Sequence, residues 1–132
     1  MKYDFECIPE PSGSGRKQYL IELPWPPTVN TYWRHAKGKT YLSTKGKSYR
    51  KSVEMAVLLA GGRRNLLGDL FISIIATPPD MKKRDLDNLL KAPLDALAKC
   101  GVYEDDSQIC RLQIERTKPS KPGLLLIEIR EV

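Results

Sequence analysis

Proline and glycine cut this chain into pieces too short for anything but a small mixed domain. Pro24-Trp25-Pro26-Pro27 stands directly after Tyr19–Leu23, a stretch of alternating residues that reads as a strand. Proline has no N–H for a strand ladder and restricts the residue before it, so that strand must stop there. Gly61-Gly62, Pro78-Pro79, Gly101 and Lys121-Pro122-Gly123 repeat the interruption further on. The longest apolar runs, Phe71 to Ala76 and Leu124 to Ile127, are strand-sized. A membrane span needs roughly 18 apolar residues.

Between the interruptions, hydrophobic period assigns the elements. Ser43 is a good N-cap for a helix reaching about Ala60, with Tyr49, Val53, Ala56, Val57 and Ala60 on one face. Leu70 to Ala76 predicts a second strand. A second helix is predicted over about Asp87 to Lys99, with Leu90, Leu94 and Leu97 on one face and Gly101 as its stop. Pro93 falls inside that pattern, where it costs about 3 kcal/mol, so the helix is expected to kink there or to begin later. Cys110, Leu112 and Ile114 alternate as a third strand, and Leu125, Ile127 and Ile129 mark a fourth. The turn Lys121-Pro122-Gly123 is expected to join these two as an antiparallel hairpin. Residues 28–42 read as a long basic loop, and residues 1–16 as a flexible polar extension ahead of a single domain over 17–132. The order β-α-β-α-β-β describes an α+β fold, a small mixed four-stranded sheet with two helices packed on it.

Composition narrows the partner. The 132 residues carry 22 Lys and Arg against 16 Asp and Glu, a net charge of +6, which favours an anionic partner such as nucleic acid. An apolar fraction of 41% excludes a disordered tail protein. Cys7, Cys100 and Cys110 form an odd set without CxxC spacing, so free thiols in a reducing cytosol are expected. The acids Asp4, Glu6 and Glu10 near the start replace the apolar stretch of a secretory signal. A cytoplasmic location and no membrane partner follow as expectations. With His35 the only histidine, a zinc site is not expected.

The sharpest chemical feature is Lys82-Lys83-Arg84-Asp85-Leu86-Asp87-Asn88. On an extended backbone, side chains two apart point the same way, so Asp85 and Asp87 would converge. A divalent cation relieves their repulsion, and Mg²⁺ takes hard oxygen ligands of this kind. The alternative is that Asp87 caps a helix and Asp85 is solvated near its N-terminus. Glu104-Asp105-Asp106 is a second acidic cluster, able to complete a three-carboxylate site or simply to form a solvated turn. Lys91 lies four residues after Asp87, placed either to hold a phosphate or to pair with Asp87. The basic loop interleaves Asn30, Tyr32, Trp33, Arg34, His35, Lys37, Lys39 and Tyr41. Cations among aromatics suit phosphate contact with base stacking. The alternative is a solvated loop with Trp33 tucked into the core. Lys82, Lys83 and Arg84 would draw a phosphodiester toward the acids, and Cys100 is expected in the core.

Two blocks make the chain resemble the RusA family of Holliday junction resolvases. They are IELPWPPTVNTYWRHAKGKTYLSTKGKSYR, from Ile21 to Arg50, and RDLDNLLKAPLDALAKCGVYEDDSQ, from Arg84 to Gln108. The likeness runs from about residue 19 to residue 130. It implies that Asp85, Asp87 and Asp106 bind metal and form the catalytic set with Lys91, with Asp106 rather than Asp105 at the family position. It implies Mg²⁺ as cofactor, with Mn²⁺ able to substitute. Asn30, Tyr32, Arg34 and the loop lysines Lys37 and Lys39 fall where family members approach DNA, and Arg84 and Asn88 flank the site. His35, Lys82 and Lys83 complete the expected DNA contacts. The implied function is resolution of four-way junctions by paired nicks, and the two-fold symmetry of that task calls for a homodimer. A nuclease for forks or flaps, or a non-catalytic binder of branched DNA, are the alternatives.

Overall fold

The computed structural model describes residues 18–132; the extension expected over residues 1–16, and Cys7 within it, lie outside the described residues. The chain runs β1 (Gln18–Pro24), α1 (Val29–Tyr32), β2 (Trp33–Ala36), β3 (Lys39–Leu42), α2 (Thr44–Leu59), β4 (Leu70–Thr77), α3 (Lys91–Lys99), β5 (Ile109–Arg116) and β6 (Leu124–Glu131). Short 3-10 turns at Leu86–Leu89 and Asp106–Gln108 precede α3 and β5.

The main sheet has the order β1-β6-β4-β5. Strand β6 is antiparallel to both β1 and β4, while β5 runs parallel to β4. The expected mixed four-stranded sheet is therefore present, but the expected hairpin of the last two strands is not. β4 lies between them. The physical reason is the crossover: β4, α3 and β5 form a β-α-β unit, whose strands pair parallel. Residues 117–123 then carry the chain across β4 to its other edge. β4 alternates buried and half-buried positions along its length, as suits an inner strand, whereas β5 buries none fully, as suits an edge.

One face of the sheet carries the core. Tyr19, Ile21 and Leu23, Ile72 and Ile74, and Leu125, Ile127 and Ile129 meet Val53 and Val57 of α2 and Leu94 and Leu97 of α3 in a single buried cluster. Each such aliphatic side chain contributes about 1.5–3 kcal/mol when fully buried. Cys100 joins this core, as expected.

Residues 28–42 correct the reading of a basic loop. They fold into α1 and a two-stranded antiparallel hairpin, β2 with β3. Lys37 and Gly38 both take positive φ, 50° and 73°, the backbone a two-residue hairpin turn requires. The hairpin root is fixed to α2. Ser43 caps α2 by accepting from the Gly46 N–H at 2.9 Å, and its own hydroxyl donates to the Thr31 carbonyl. Gly46 is required for this approach, because a Cβ there would stand 2.5 Å from the Tyr32 carbonyl oxygen.

Pro93 is the third residue of α3, which begins at Lys91 rather than Asp87. In a first turn its missing N–H has no intrahelical partner to lose, so the proline neither kinks nor breaks the helix. The later entry expected as one alternative is the one observed.

Candidate active site

The two acids expected to converge sit on the approach to α3. Asp85 has an extended backbone and Asp87 lies inside the Leu86–Leu89 turn. That turn is held by its main chain, with the Asn88 and Leu90 N–H groups donating to the Asp85 and Asp87 carbonyls at 3.2 and 3.3 Å. Neither carboxylate makes a capping bond, an ion pair or a hydrogen bond to another described residue. Both are exposed and line one open cleft of about 860 Å³ with Arg84, Ile114, Glu115 and Arg116. Helix capping therefore does not account for these acids.

The second acidic cluster divides its labour. Asp105 caps the turn before β5, accepting from the Ser107 N–H at 2.9 Å. Hydrogen bonds from the Ser107 side chain and backbone hold its carboxyl below the usual range. Gln108 completes a capping box by accepting from the Glu104 and Asp105 N–H groups at 2.8 and 2.9 Å. Asp106 is left to project, and its carboxylate stands 3.9 Å from the Lys91 ammonium. The lysine thus pairs across the chain and not with Asp87, one turn before it. Both side chains are 46% exposed, so the pair is of the weak surface kind and readily exchanged.

The positive residues fall into two groups. Arg84 is engaged inside the protein, with an Asp80 carboxylate at 2.8 Å, two loop carbonyls at 3.3 Å and the Trp25 ring 5.5 Å below its guanidinium. Pairing with Arg84, and then the Lys82 N–H, pulls the Asp80 carboxyl below the usual range. The proline-flanked Trp25 therefore braces the site, and a cleft of about 280 Å³ between Trp25, Thr28, Lys83, Asp85 and Asn88 opens beside it. Lys82 and Lys83 are exposed.

Of the expected DNA contacts in residues 28–42, Asn30, Arg34, His35, Lys37 and Lys39 are exposed. Tyr32 is not. It is 0% exposed, and its hydroxyl donates to Asp95 at 2.5 Å, so it cannot stack on a base without leaving the core. Burial, followed by that hydrogen bond, raises the Tyr32 pKa well above the ordinary tyrosine value. The hairpin register puts Tyr41 directly opposite Arg34 on one face, and Tyr41 is 50% exposed. Tyr41 is thus the aromatic available beside the cations. Trp33, on the opposite face, packs against the core.

Sequence reasoning missed two residues behind this arrangement. Arg50 of α2 donates to Asp95 of α3 at 2.8 Å, and Tyr32 meets the same carboxylate. The signal available was Asp95 itself, an acid set among the buried residues Leu94, Ala96 and Leu97. Its partners lie 45 and 63 residues away, beyond any local pattern.

The donor set fits a hard divalent cation. Two unpartnered carboxylates face one cleft, and Mg²⁺-type ions keep several waters and need only one or two such ligands. Among the described residues no three His, Cys, Asp or Glu side chains converge into a closed cage. Asp106 would add its carboxylate by giving up Lys91.

Open carboxylates beside cations, on a basic mixed α/β domain, fit the chemistry of metal-assisted phosphodiester hydrolases. The family model described as "Endodeoxyribonuclease RusA" matches residues 24–130. A protein of Shigella sonnei named crossover junction endodeoxyribonuclease RusA is 40% identical over 114 residues, covering 86% of this chain and 95% of its own. The protein of that name from Enterobacteria phage HK97 is 40% identical over 121 residues, 87% of this chain and 96% of its own. That of Enterobacteria phage 82 is 39% identical over 114 residues, again 86% and 95%. The chain belongs to the RusA endodeoxyribonuclease family, enzymes that hydrolyse DNA. Among the described residues, no helix is long and apolar enough to cross a membrane.

Proposed function

We propose that this chain resolves four-way DNA junctions by symmetric nicking, with Mg²⁺ as its metal and Asp85, Asp87, Asp106 and Lys91 as its catalytic residues. The observation that carries the reading is the pair of unpartnered carboxylates, Asp85 and Asp87, on one open cleft, with the Lys91–Asp106 pair as a second, exchangeable contact. Asp85, Asp87 and Asp106 would hold the cation, which would supply positive charge at the scissile phosphate and make water a competent nucleophile. Attack in line on phosphorus breaks the bond to the 3′ oxygen and leaves a 5′-phosphate and a 3′-hydroxyl. Lys91 faces the charge that builds on the phosphoryl oxygens and stabilises it. Asp106 orients the Lys91 ammonium until substrate arrives.

Asn30, Arg34, His35, Lys37 and Lys39 hold the DNA backbone, as do Lys82, Lys83 and Asn88, with Arg84 acting chiefly as a brace. Residues 17–132 act as one domain, supported by the buried cluster that runs from Tyr19 to Ile129. Two nicks related by a two-fold axis require two sites, so the working form is a homodimer. Free thiols at Cys100 and Cys110 support a reducing, cytoplasmic setting.

The test is nicking of a synthetic four-way junction, with matched fork and linear duplex as controls. Wild type is expected to make paired nicks in Mg²⁺ and none in EDTA. Asp87→Asn is expected to bind without cutting. Junction bound and never cut under any divalent metal would make the chain a binder.

A further inference from the structure

Two of the three clefts around the site share a residue that no sequence pattern singled out. Arg116, the last residue of β5, lines the open cleft that holds Asp85 and Asp87. It also lines a second cleft, of about 240 Å³, together with Asp80, Lys82 and Lys83. Three hydrogen bonds clasp the walls of this second cleft. The Thr117 N–H donates to the Ala76 carbonyl at 2.9 Å, the Thr77 and Thr117 hydroxyls meet at 2.9 Å, and the Ser120 N–H donates to the Pro78 carbonyl at 2.8 Å. On the facing loop, the Lys82 N–H donates to Asp80 at 3.0 Å while Asp80 is neutralised by Arg84. Among the described residues, Lys82, Lys83 and Arg116 form no ion pair. Three cations thus surround a preformed hollow whose one acid is already paired, and Arg116 is the wall between that hollow and the acids.

The geometry points to a phosphate-holding site here, in which Arg116, with Lys82 and Lys83, takes a neighbouring backbone phosphodiester of the strand being cut. This rests on the nuclease reading of Asp85 and Asp87. Arginine suits the position because its planar fork can bond two phosphate oxygens at once. A strand anchored there enters the catalytic cleft with its next linkage already confined, which is the positioning that in-line attack demands.

The test is junction binding in EDTA, so that it does not depend on cutting. Arg116→Gln is expected to weaken binding by about tenfold at low salt and to make the slope of log K against log salt shallower by about one. Arg116→Lys should recover the slope and part of the affinity. Junctions with a single uncharged methylphosphonate, moved one linkage at a time around the cut, then locate the contact. At one linkage the replacement should weaken wild type and leave Arg116→Gln no weaker than before. Unchanged affinity and slope in Arg116→Gln would overturn the inference. So would a loss that Arg116→Lys fails to restore and that tracks a lowered melting temperature, or the absence of any such linkage. Wild type that binds in this way yet never cuts would instead overturn the proposed function and leave the phosphate site standing.

Discussion

Lys91, the first residue of α3, and Asp106, in the turn before β5, face each other at 3.9 Å, although Asp87 is the nearer acid in sequence. The pairing gives the lysine a resting partner that substrate phosphate can replace. Lys91→Ala should therefore lower kcat by about 100- to 1000-fold, the cost of removing one stabilising charge or donor from a transition state, while junction affinity falls far less. Single-turnover cleavage beside a binding titration checks the split. Equal losses in affinity and rate would place Lys91 in ground-state binding alone.

Asp105 and Asp106 are adjacent and chemically alike, yet they should respond in opposite ways. Asp106→Asn is expected to abolish cleavage and leave the melting temperature nearly unchanged. Asp105→Ala removes the cap of the turn before β5 and should lower the melting temperature, with residual activity per folded molecule largely kept. Thermal melts and nicking rates on the two variants decide it.

Tyr41 and Tyr32 make a second such pair. Tyr41→Ala should weaken DNA binding by about 1–3 kcal/mol, the range for one base stacked on an aromatic ring, without changing stability. Tyr32→Phe should cost about 1.5–3 kcal/mol of folding stability, because it strips a hydrogen bond from a charged, largely buried partner. Urea titrations and binding isotherms on both variants separate the roles.

Stability should fall at both ends of the pH range, for opposite reasons. Burial raises the pKa values of Tyr49, Tyr103 and Tyr32 in the folded chain, so their contribution is intact below pH 10 and is lost progressively as pH rises above it. The Asp80 and Asp105 carboxyls are depressed, so their contribution is intact above about pH 4 and is lost as pH falls below it. Asp80→Asn should flatten the acid limb of a plot of melting temperature against pH. An unaltered limb would show that Arg84 does not stabilise the folded state through Asp80.

Gly46 gives the last prediction. Alanine is ordinarily the better helix former by about 1 kcal/mol, yet Gly46→Ala should destabilise by about 1–3 kcal/mol. The added Cβ would lie 2.5 Å from the Tyr32 carbonyl, and the backbone there cannot yield without moving the hairpin root. A rise in melting temperature would show that α1 and α2 are not in close contact.

Much of this was readable from sequence, and the failures have identifiable causes. Ser43 as N-cap, the alternation of β1 and β6, the apolar run of β4, and the entry of α3 later than Asp87, one of the two outcomes Pro93 left open, are local effects, written in neighbouring residues. The pairing of β5 with β4 is not local. Contiguity in sequence suggested a hairpin with β6, while the helix between β4 and β5 was the better guide. The β2–β3 hairpin was missed because its turn is Lys37-Gly38, a pair less distinctive than Asn-Gly. At the site, spacing left convergence and helix capping both open for Asp85 and Asp87, and phosphate contact or pairing with Asp87 open for Lys91; the RusA resemblance is what singled them out. The burial of Tyr32 was not legible, since it depends on Asp95 and Arg50, far away along the chain.

Those last three residues have a mechanical consequence. Tyr32 is the root of the basic hairpin, Arg50 belongs to α2, and Asp95 sits one turn beyond Lys91 on α3. Because one carboxylate ties all three elements, the hairpin and Lys91 are fixed to one frame. On the proposed function, the span between the hairpin's grip on a DNA arm and the broken linkage would behave as a caliper set during folding, not adjusted with each substrate.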